Sequence, residues 1–496
     1  MDVSRQTTGL SSSNEYANVL EPAFCRYRRS MPYTHTSYEQ HHYCGMCMTD
    51  AVLNKPIRTD TDINDLLLSR VRDDPRAYSQ RERFAGDAVR ALLARVGNPH
   101  QHLRCVHIAG SKGKGSVALM CEHLLRHAGW RTGTFTSPHL QRWNERIRID
   151  GRDVDSVSLA QALETLRPHL AQLDEISAEL SPSFFDLLTA AALLMFANAR
   201  CECVIVETGL GGSFDATNII TPAACGITSI ELEHTEKLGN STQAIAQHKA
   251  GIIKAGVPVV TAHFADAARA VIEQRAQSLA APQWRQGRDW TVRSTHNGAG
   301  SQCVEYVRPT RAGINGQNVA FKLPHAASHM AVNAGIALTM LATANWPVEA
   351  STLETCVLPG RAQVVSQRPW IIVDGAHTQA SLQALGKTLQ QWPARKRYFV
   401  VCATRSKSVA ALATLIRDAD GVWVTCADPQ RSMPAAQLAA LLNTEIPGFC
   451  AQVHEQPDAA FAHASANLGK ESLLCICGSV YLAGAALRYW QVNTDQ

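Results

Sequence analysis

The chain has 496 residues, 46% hydrophobic and 18% charged, with a formal net charge of +4 at pH 7. That length buries large cores and predicts two or three domains, and a charge spread without a basic block gives no sign of a nucleic-acid partner. Fifteen scattered cysteines, with no secretory apolar segment, read as free thiols in a reducing cytoplasm, and the longest apolar stretch, Leu187–Ala197, is too short to span a bilayer.

Residues 1–50 are rich in Ser, Thr, Tyr, Arg and His and lack periodicity, so 1–58 is predicted to be a disordered extension. Within it, His41-His42-Tyr43-Cys44-Gly45-Met46-Cys47 offers imidazole and thiolate, but no second Cys/His pair follows to complete a tetrahedral zinc site. Helices are predicted over Asp62–Arg72 and Phe84–Val96, then an apolar strand over Arg104–Ala109. That strand runs into Gly110-Ser111-Lys112-Gly113-Lys114-Gly115-Ser116 and a helix through Val117–His127. A strand, a glycine turn and a helix N-terminus make a phosphate cradle. Gly113 and Gly115 let backbone N–H groups approach, Lys114 supplies a point charge, and Ser116 offers a hydroxyl to a magnesium ion. ATP is the predicted ligand. In the standard P-loop the lysine and the Ser/Thr are consecutive, whereas here Gly115 separates them.

Further along, Thr136-Ser137-Pro138-His139 ends a short strand, where the Ser137 hydroxyl either reaches a magnesium ion or satisfies a turn. Helices at Ser158–Leu173 and Phe184–Ala199 precede the strand Cys203–Glu207. Its terminal carboxylate is either a magnesium ligand or a surface charge. The run Thr208–Asn218 packs glycine beside Asp215, Thr217 and Asn218, a composition suited to a polar ring or phosphate-bearing group. A strand over Ala224–Ile230 continues to His234, read as a metal ligand or a core histidine. Lys249 is placed on a helix near the same strand ends, and Val257–Ala262 continues the strand series. Residues 284–322 carry Asn-Gly and Gly-rich turns that predict hairpins, and a helix is predicted over His329–Ala344.

Strand and helix alternate again after Pro359-Gly360-Arg361: Trp370–Val373, Ala380–Trp392, Arg397–Cys402, Val409–Asp418, Gly421–Thr425, Pro434–Leu442 and Ser472–Cys477. The predicted fold class is therefore α/β. It has an N-terminal P-loop-type ATPase domain over 59–357 with a mostly parallel sheet, and a smaller C-terminal Rossmann-like domain over 358–496. Two lobes imply a ligand cleft between them.

In order along about 62 to 482, the chain resembles the folylpolyglutamate synthase and dihydrofolate synthase branch of the Mur ligase family. The motifs that carry the likeness are Asn98-Pro99-His100, the Gly110–Ser116 loop, Thr136–His139, Phe185–Thr189, Glu207–Asn218, Ile227–Ile230 with His234, Lys249–Lys254, Pro359–Arg361, Asp374-Gly375-Ala376-His377 and Gly478-Ser479. The resemblance implies an ATP- and Mg2+-dependent cytoplasmic ligase, a monomer, that joins L-glutamate to a folate or dihydropteroate carboxylate through an acyl phosphate. It implies that Gly113, Lys114, Gly115, Ser116, Asn333, Arg361 and Asp374 bind ATP, and that Ser137, Glu207 and His234 bind magnesium. Lys249, as a carbamate, would bridge a second magnesium ion. His377 would lie near the acyl phosphate or the incoming amino acid, and Phe185, Thr189, Gly211, Gly212, Asp215 and Thr217 would face the pterin.

Several positions depart from the family pattern. Ser111-Lys112 stands for Thr-Asn, Ser213 for an arginine, Glu233 for Asp, His248 for Glu, Asp186 for Glu, and Thr378 for Asn. The phosphate and metal positions survive better than those near the substrate. A diverged amide ligase acting on another carboxylate, and a non-catalytic ATP-binding scaffold, are the alternative readings.

Overall fold

The computed structural model describes residues 55–71, 86–298, 300–311, 313–405 and 409–491. The histidine and cysteine cluster at 41–47 and most of the predicted extension lie outside them. The first sheet is built from β1 (Cys105–Ala109), β2 (Thr132–Phe135), β3 (Ile147–Ile149), β4 (Arg152–Asp153), β5 (Cys203–Glu207), β6 (Ala224–Ile227), β7 (Val259–Thr261) and β8 (Gln283–Arg285), in the order β4-β3-β2-β5-β1-β6-β7-β8. From β2 to β8 the strands are parallel, and β3 and β4 extend one edge antiparallel. Every residue of β1 and β5 is buried, as a central parallel strand covered on both faces requires.

The helices cover those faces through their sequence periodicity. In Lys114–His127, Val117, Met120, Cys121, Leu124 and Leu125 fall at three- and four-residue spacing and are all buried. Each such aliphatic side chain, fully removed from water, stabilises the fold by about 1.5–3 kcal/mol. Phe184–Asn198 is apolar on all sides and correspondingly buried; it starts at a capping box in which Ser183 and Asp186 satisfy each other's backbone N–H groups. No described helix is long and apolar enough to cross a membrane.

Residues 283–285 correct the hairpin prediction. They form β8, parallel to β7, with Trp284 fully buried. Three residues are too few to show periodicity, and the hairpin turns begin only further on. β9 (Thr291–His296), β10 (Gln302–Arg308) and β11 (Gln317–Leu323) do form the expected antiparallel meander. The helix Ser328–Thr343 shares one core with it and with the large sheet.

The second sheet contains β12 (Gln363–Gln367), β13 (Trp370–Val373), β14 (Lys396–Val401), β15 (Gly421–Val424), β16 (Gln452–Val453) and β17 (Ser472–Cys477), ordered β12-β13-β17-β14-β15-β16. Only β12 is antiparallel to its neighbour. Helices Pro457–Ala466 and Val480–Tyr489, unpredicted because their alanine-rich runs carry little pattern, pack on one face of this sheet. The second of them meets the loop after β2 closely: a Cβ at Gly484 would stand 2.2 Å from the Leu140 carbonyl oxygen. Glycine is required there because backbone opposes backbone.

Candidate active site

The phosphate loop leaves β1 at Gly110, whose φ of 152° and whose missing Cβ, 1.9 Å from Thr228 Oγ1, admit no side chain. The loop is tied to the segment after β6. The Ser111 N–H donates to the Ser229 carbonyl at 2.8 Å, the Lys112 N–H donates to Ser229 Oγ at 2.9 Å, and Thr228 Oγ1 donates to the Lys112 carbonyl at 2.5 Å. Gly113, at φ 86°, precedes the helix Lys114–His127 and lies under Asn333: a Cβ would fall 2.7 Å from Asn333 Oδ1. The helix thus begins with its free N–H groups turned to the loop. Lys114 Nζ donates to the Gly110 carbonyl at 2.9 Å.

Gly115 brings the start of the helix beside Glu207: a Cβ there would stand 3.4 Å from Glu207 Oε2, an ordinary van der Waals distance. Glu207 is the last residue of β5 and pairs across from Ile108 of β1. It accepts the Ser137 N–H at 3.0 Å. Burial pushes its carboxyl up, against the opposing pull of Lys114, the Ser137 N–H, Arg361 and Arg146. Ser116, Ser137, Glu207 and Arg361 line one cleft. Two hydroxyls and a carboxylate are hard oxygen donors, which is the chemistry Mg2+ selects, so these residues fit that ion.

His234 does not join them among the cleft-lining residues. The strand predicted to reach it ends at Ile227, and His234 sits at φ 48° ahead of the short helix Thr235–Leu238, half-exposed, with Nδ1 3.7 Å from Glu236. The apolar look of Ile230 and Leu232 extended the prediction, but Leu232 is exposed and carries no ladder. Among the described residues no three His, Cys, Asp or Glu side chains gather as a metal site.

Lys249 is buried. Its ammonium lies 3.3 Å from Glu233 Oε1, and Glu233 Oε2 lies 3.2 Å from Lys112 Nζ. Burial pushes Lys249 down to about 8, with Lys114 adding to the shift and Glu233 opposing it. Burial also raises the Glu233 carboxyl, but the ammonium groups of Lys114, Lys249 and Lys112 outweigh it and hold the group below its ordinary value.

From the second sheet, Asp374 follows β13 and is spent on backbone. It accepts the Ala362 and Ala376 N–H groups, each at 2.7 Å, which shapes the turn bearing Arg361. Arg361 Nη1 donates to the Gly360 carbonyl at 3.2 Å, and His377 Nδ1 donates to the Gly375 carbonyl at 2.9 Å. Thr378 caps the helix Gln379–Leu389.

The loop after β5 is held from within. Asp215 accepts the Leu210 N–H at 2.8 Å, the Thr217 N–H at 3.0 Å and the Thr217 hydroxyl at 2.5 Å, and both side chains are buried. Thr189 Oγ1 donates to the Phe185 carbonyl one turn back, at 2.7 Å. Phe185 lies against Gly209, where a Cβ would meet its ring at 2.5 Å. Gly211 takes φ 70°, and Gly212 lets the turn approach the His248 carbonyl.

Sequence reasoning missed a cluster at the cleft edge. Arg146 Nε donates to His139 Nδ1 at 3.0 Å, and its guanidinium lies over the rings of Trp143 and Phe184 at 4.8 and 5.8 Å. Glu145 shapes the same segment by accepting the N–H groups of Leu140, Gln141 and Arg142. The Glu-Arg pair beside Thr136–His139 was the available signal.

Comparisons with known proteins agree with this layout. The protein-family model described as Mur ligase, glutamate ligase domain, matches residues 360–480. The chain is 32% identical over 408 residues to the dihydrofolate synthase/folylpolyglutamate synthase of Bacillus subtilis, covering 79% of this chain and 92% of that one. It is also 32% identical over 404 residues to a probable bifunctional folylpolyglutamate synthase/dihydropteroate synthase of Halobacterium salinarum. That match covers 80% of this chain but only about half, 48%, of the relative. Among solved structures, the Mycobacterium tuberculosis folylpolyglutamate synthase complexed with ADP and AMPPCP superposes with a TM-score of 0.75 at 27% identity, covering 85% of this chain and all of that one. Strand order, phosphate loop, cleft and sequence likeness converge: the chain belongs to the folylpolyglutamate synthase/dihydrofolate synthase family of Mur-type ligases.

Proposed function

We propose that this chain joins L-glutamate to the carboxylate of a folate or dihydropteroate, consuming ATP. The observation that carries the reading is one cleft lined by Gly115 and Ser116 of the phosphate loop, by Glu207 and by Arg361. A carboxylate is a poor acyl donor, so the γ-phosphoryl group of ATP first passes to the substrate carboxylate, giving an acyl phosphate and ADP. The amine of glutamate then attacks the acyl carbon and phosphate leaves. Gly113, Gly115 and the first N–H groups of the helix Lys114–His127 cradle the phosphates, and Lys114 spreads the charge that develops during transfer. Bound Mg2+ neutralises phosphate charge; Glu207, Ser116 and Ser137 are the side chains that would hold it. Asn333 and Arg361 face the nucleotide, with Asp374 fixing the turn that carries Arg361, while His377 serves the acceptor side and Lys249, as a carbamate, would bridge a second Mg2+. Phe185 and the turn at Gly211 and Gly212 receive the pterin, and Asp215 and Thr217 keep that turn in shape. Water would hydrolyse the acyl phosphate, so closing the cleft protects it.

We take the two lobes to divide near residue 358 and the chain to act as a cytoplasmic monomer, in keeping with its free described cysteines. The test is ADP release from ATP, Mg2+ and L-glutamate with dihydropteroate or tetrahydrofolate supplied separately. Glutamate-dependent turnover with at least one pterin is expected; none with either would sink the reading.

A further inference from the structure

His107 is the one polar residue of β1, and it is fully buried in the strand that delivers the phosphate loop. Its Nε2 lies 2.8 Å from Thr217 Oγ1. The Thr217 hydroxyl already donates its single hydrogen to Asp215 at 2.5 Å, so toward His107 it accepts, and the imidazole must carry its proton on Nε2. Nδ1 is then bare, and it has no hydrogen-bond partner. An orphaned ring nitrogen in a central strand costs stability that an apolar residue there would avoid. The compensating feature is a continuous chain of hydrogen bonds converging on Asp215. His107 holds Thr217, Thr217 holds Asp215, and Asp215 accepts the Leu210 N–H in the turn whose Gly209 lies against Phe185. The chain joins β1, which ends at the phosphate loop, to the loop after β5, about 110 residues away in sequence. Burial also pushes the imidazole down to about 3, so the ring stays neutral and the donor stays on Nε2 at any physiological pH.

We infer that His107 is a positioning residue that fixes the 209–217 turn relative to the phosphate loop, and so sets how the pterin carboxylate is presented to the nucleotide. The role rests on the folate-ligase reading above, whereas the hydrogen-bond relay does not. His107 reaches no ligand itself, being 0% exposed, so its effect must pass through Thr217 and Asp215.

Two measurements test this. In steady-state assays, His107→Leu is expected to raise the pterin KM roughly tenfold while leaving the ATP KM within about twofold. His107→Gln, whose amide N–H reaches the same place, is expected to recover most of the loss. A purely structural histidine would instead impair use of both substrates alike, with Gln no better than Leu, and that result would overturn the inference. Amide hydrogen exchange on the ligand-free protein supplies the second readout. His107→Leu is expected to speed exchange at Leu210 and Thr217 about tenfold or more, with the amides of Lys114–His127 unchanged. Unaltered exchange at Leu210 and Thr217 overturns the relay even if the enzyme turns over an unforeseen carboxylate. Wild-type protein inactive with every pterin, but with the exchange effect intact, would refute the folate reading and the role in positioning substrate while leaving the relay standing.

Discussion

The ammonium of Lys249, buried in the helix Thr242–Ala250, lies 3.3 Å from one oxygen of Glu233, whose other oxygen lies 3.2 Å from Lys112. The two ends of this bridge are unequal: Lys249 is hidden from solvent, whereas about a third of the Lys112 side chain remains accessible. Glu233→Gln would remove the counter-charge of a buried ammonium already held at about 8, which can then shed its proton, and a loss of about 1–2 kcal/mol near pH 7 is expected. Lys112→Asn removes the exposed arm and is expected to cost about 1 kcal/mol or less. Urea unfolding of the two variants checks the ranking, and equal losses would contradict it.

Lys114→Ala is expected to reduce glutamate-dependent ADP release by roughly a hundredfold or more, the scale of losing a charged contact to the transition state. In the free protein its ammonium donates to the Gly110 carbonyl and also counters the buried Glu207 and Glu233 carboxylates, so the melting temperature is measured alongside turnover to separate stability from catalysis. A loss of turnover below about threefold would remove Lys114 from the phosphoryl-transfer step.

Glu207→Gln keeps an oxygen to accept the Ser137 N–H but removes the negative charge that a divalent cation needs. The Mg2+ concentration giving half-maximal turnover is expected to rise about ten- to a hundredfold. An unshifted Mg2+ titration would place the ion elsewhere.

Four histidines, His107, His123, His139 and His325, are held neutral mainly by burial, at about 3, 4, 3 and 4. In the unfolded chain they take up protons near pH 6.5. Between pH 6.5 and about 4 the unfolded state therefore binds more protons, so their contribution to stability is fully present above pH 6.5 and is lost as the pH falls. Each contributes a slope of up to about 1.4 kcal/mol per pH unit in that window. His325→Gln, which retains a donor for the Cys356 carbonyl, is expected to flatten the urea-midpoint profile between pH 6.5 and 5. A profile as steep as wild type would show that His325 titrates normally.

What could be read from the sequence was local. Strand, glycine turn and helix around Lys114 follow one another within a dozen residues, and Glu207 closes an unbroken apolar strand, so each carried its own signal. The fate of Asp215 and Thr217 was hidden because it depends on His107, brought alongside by the β1–β5 ladder. The same holds for Glu233, whose two lysines come from distant elements. The strand expected to run on toward His234 stops at Ile227, because Ile230 and Leu232 imitate strand alternation without having a ladder partner. The edge strands β3, β4 and β12 are short or half-polar, and they exist through pairing rather than through their own pattern.

The parallel register of β1 between β5 and β6 aligns Ile108 with Glu207 and Ala109 with Ile227. Three strand ends thus terminate at one level, and the spacing between phosphate cradle and carboxylate is set by backbone ladders rather than by rotatable side chains. A preformed arrangement of this kind keeps the conformational cost of filling a site low.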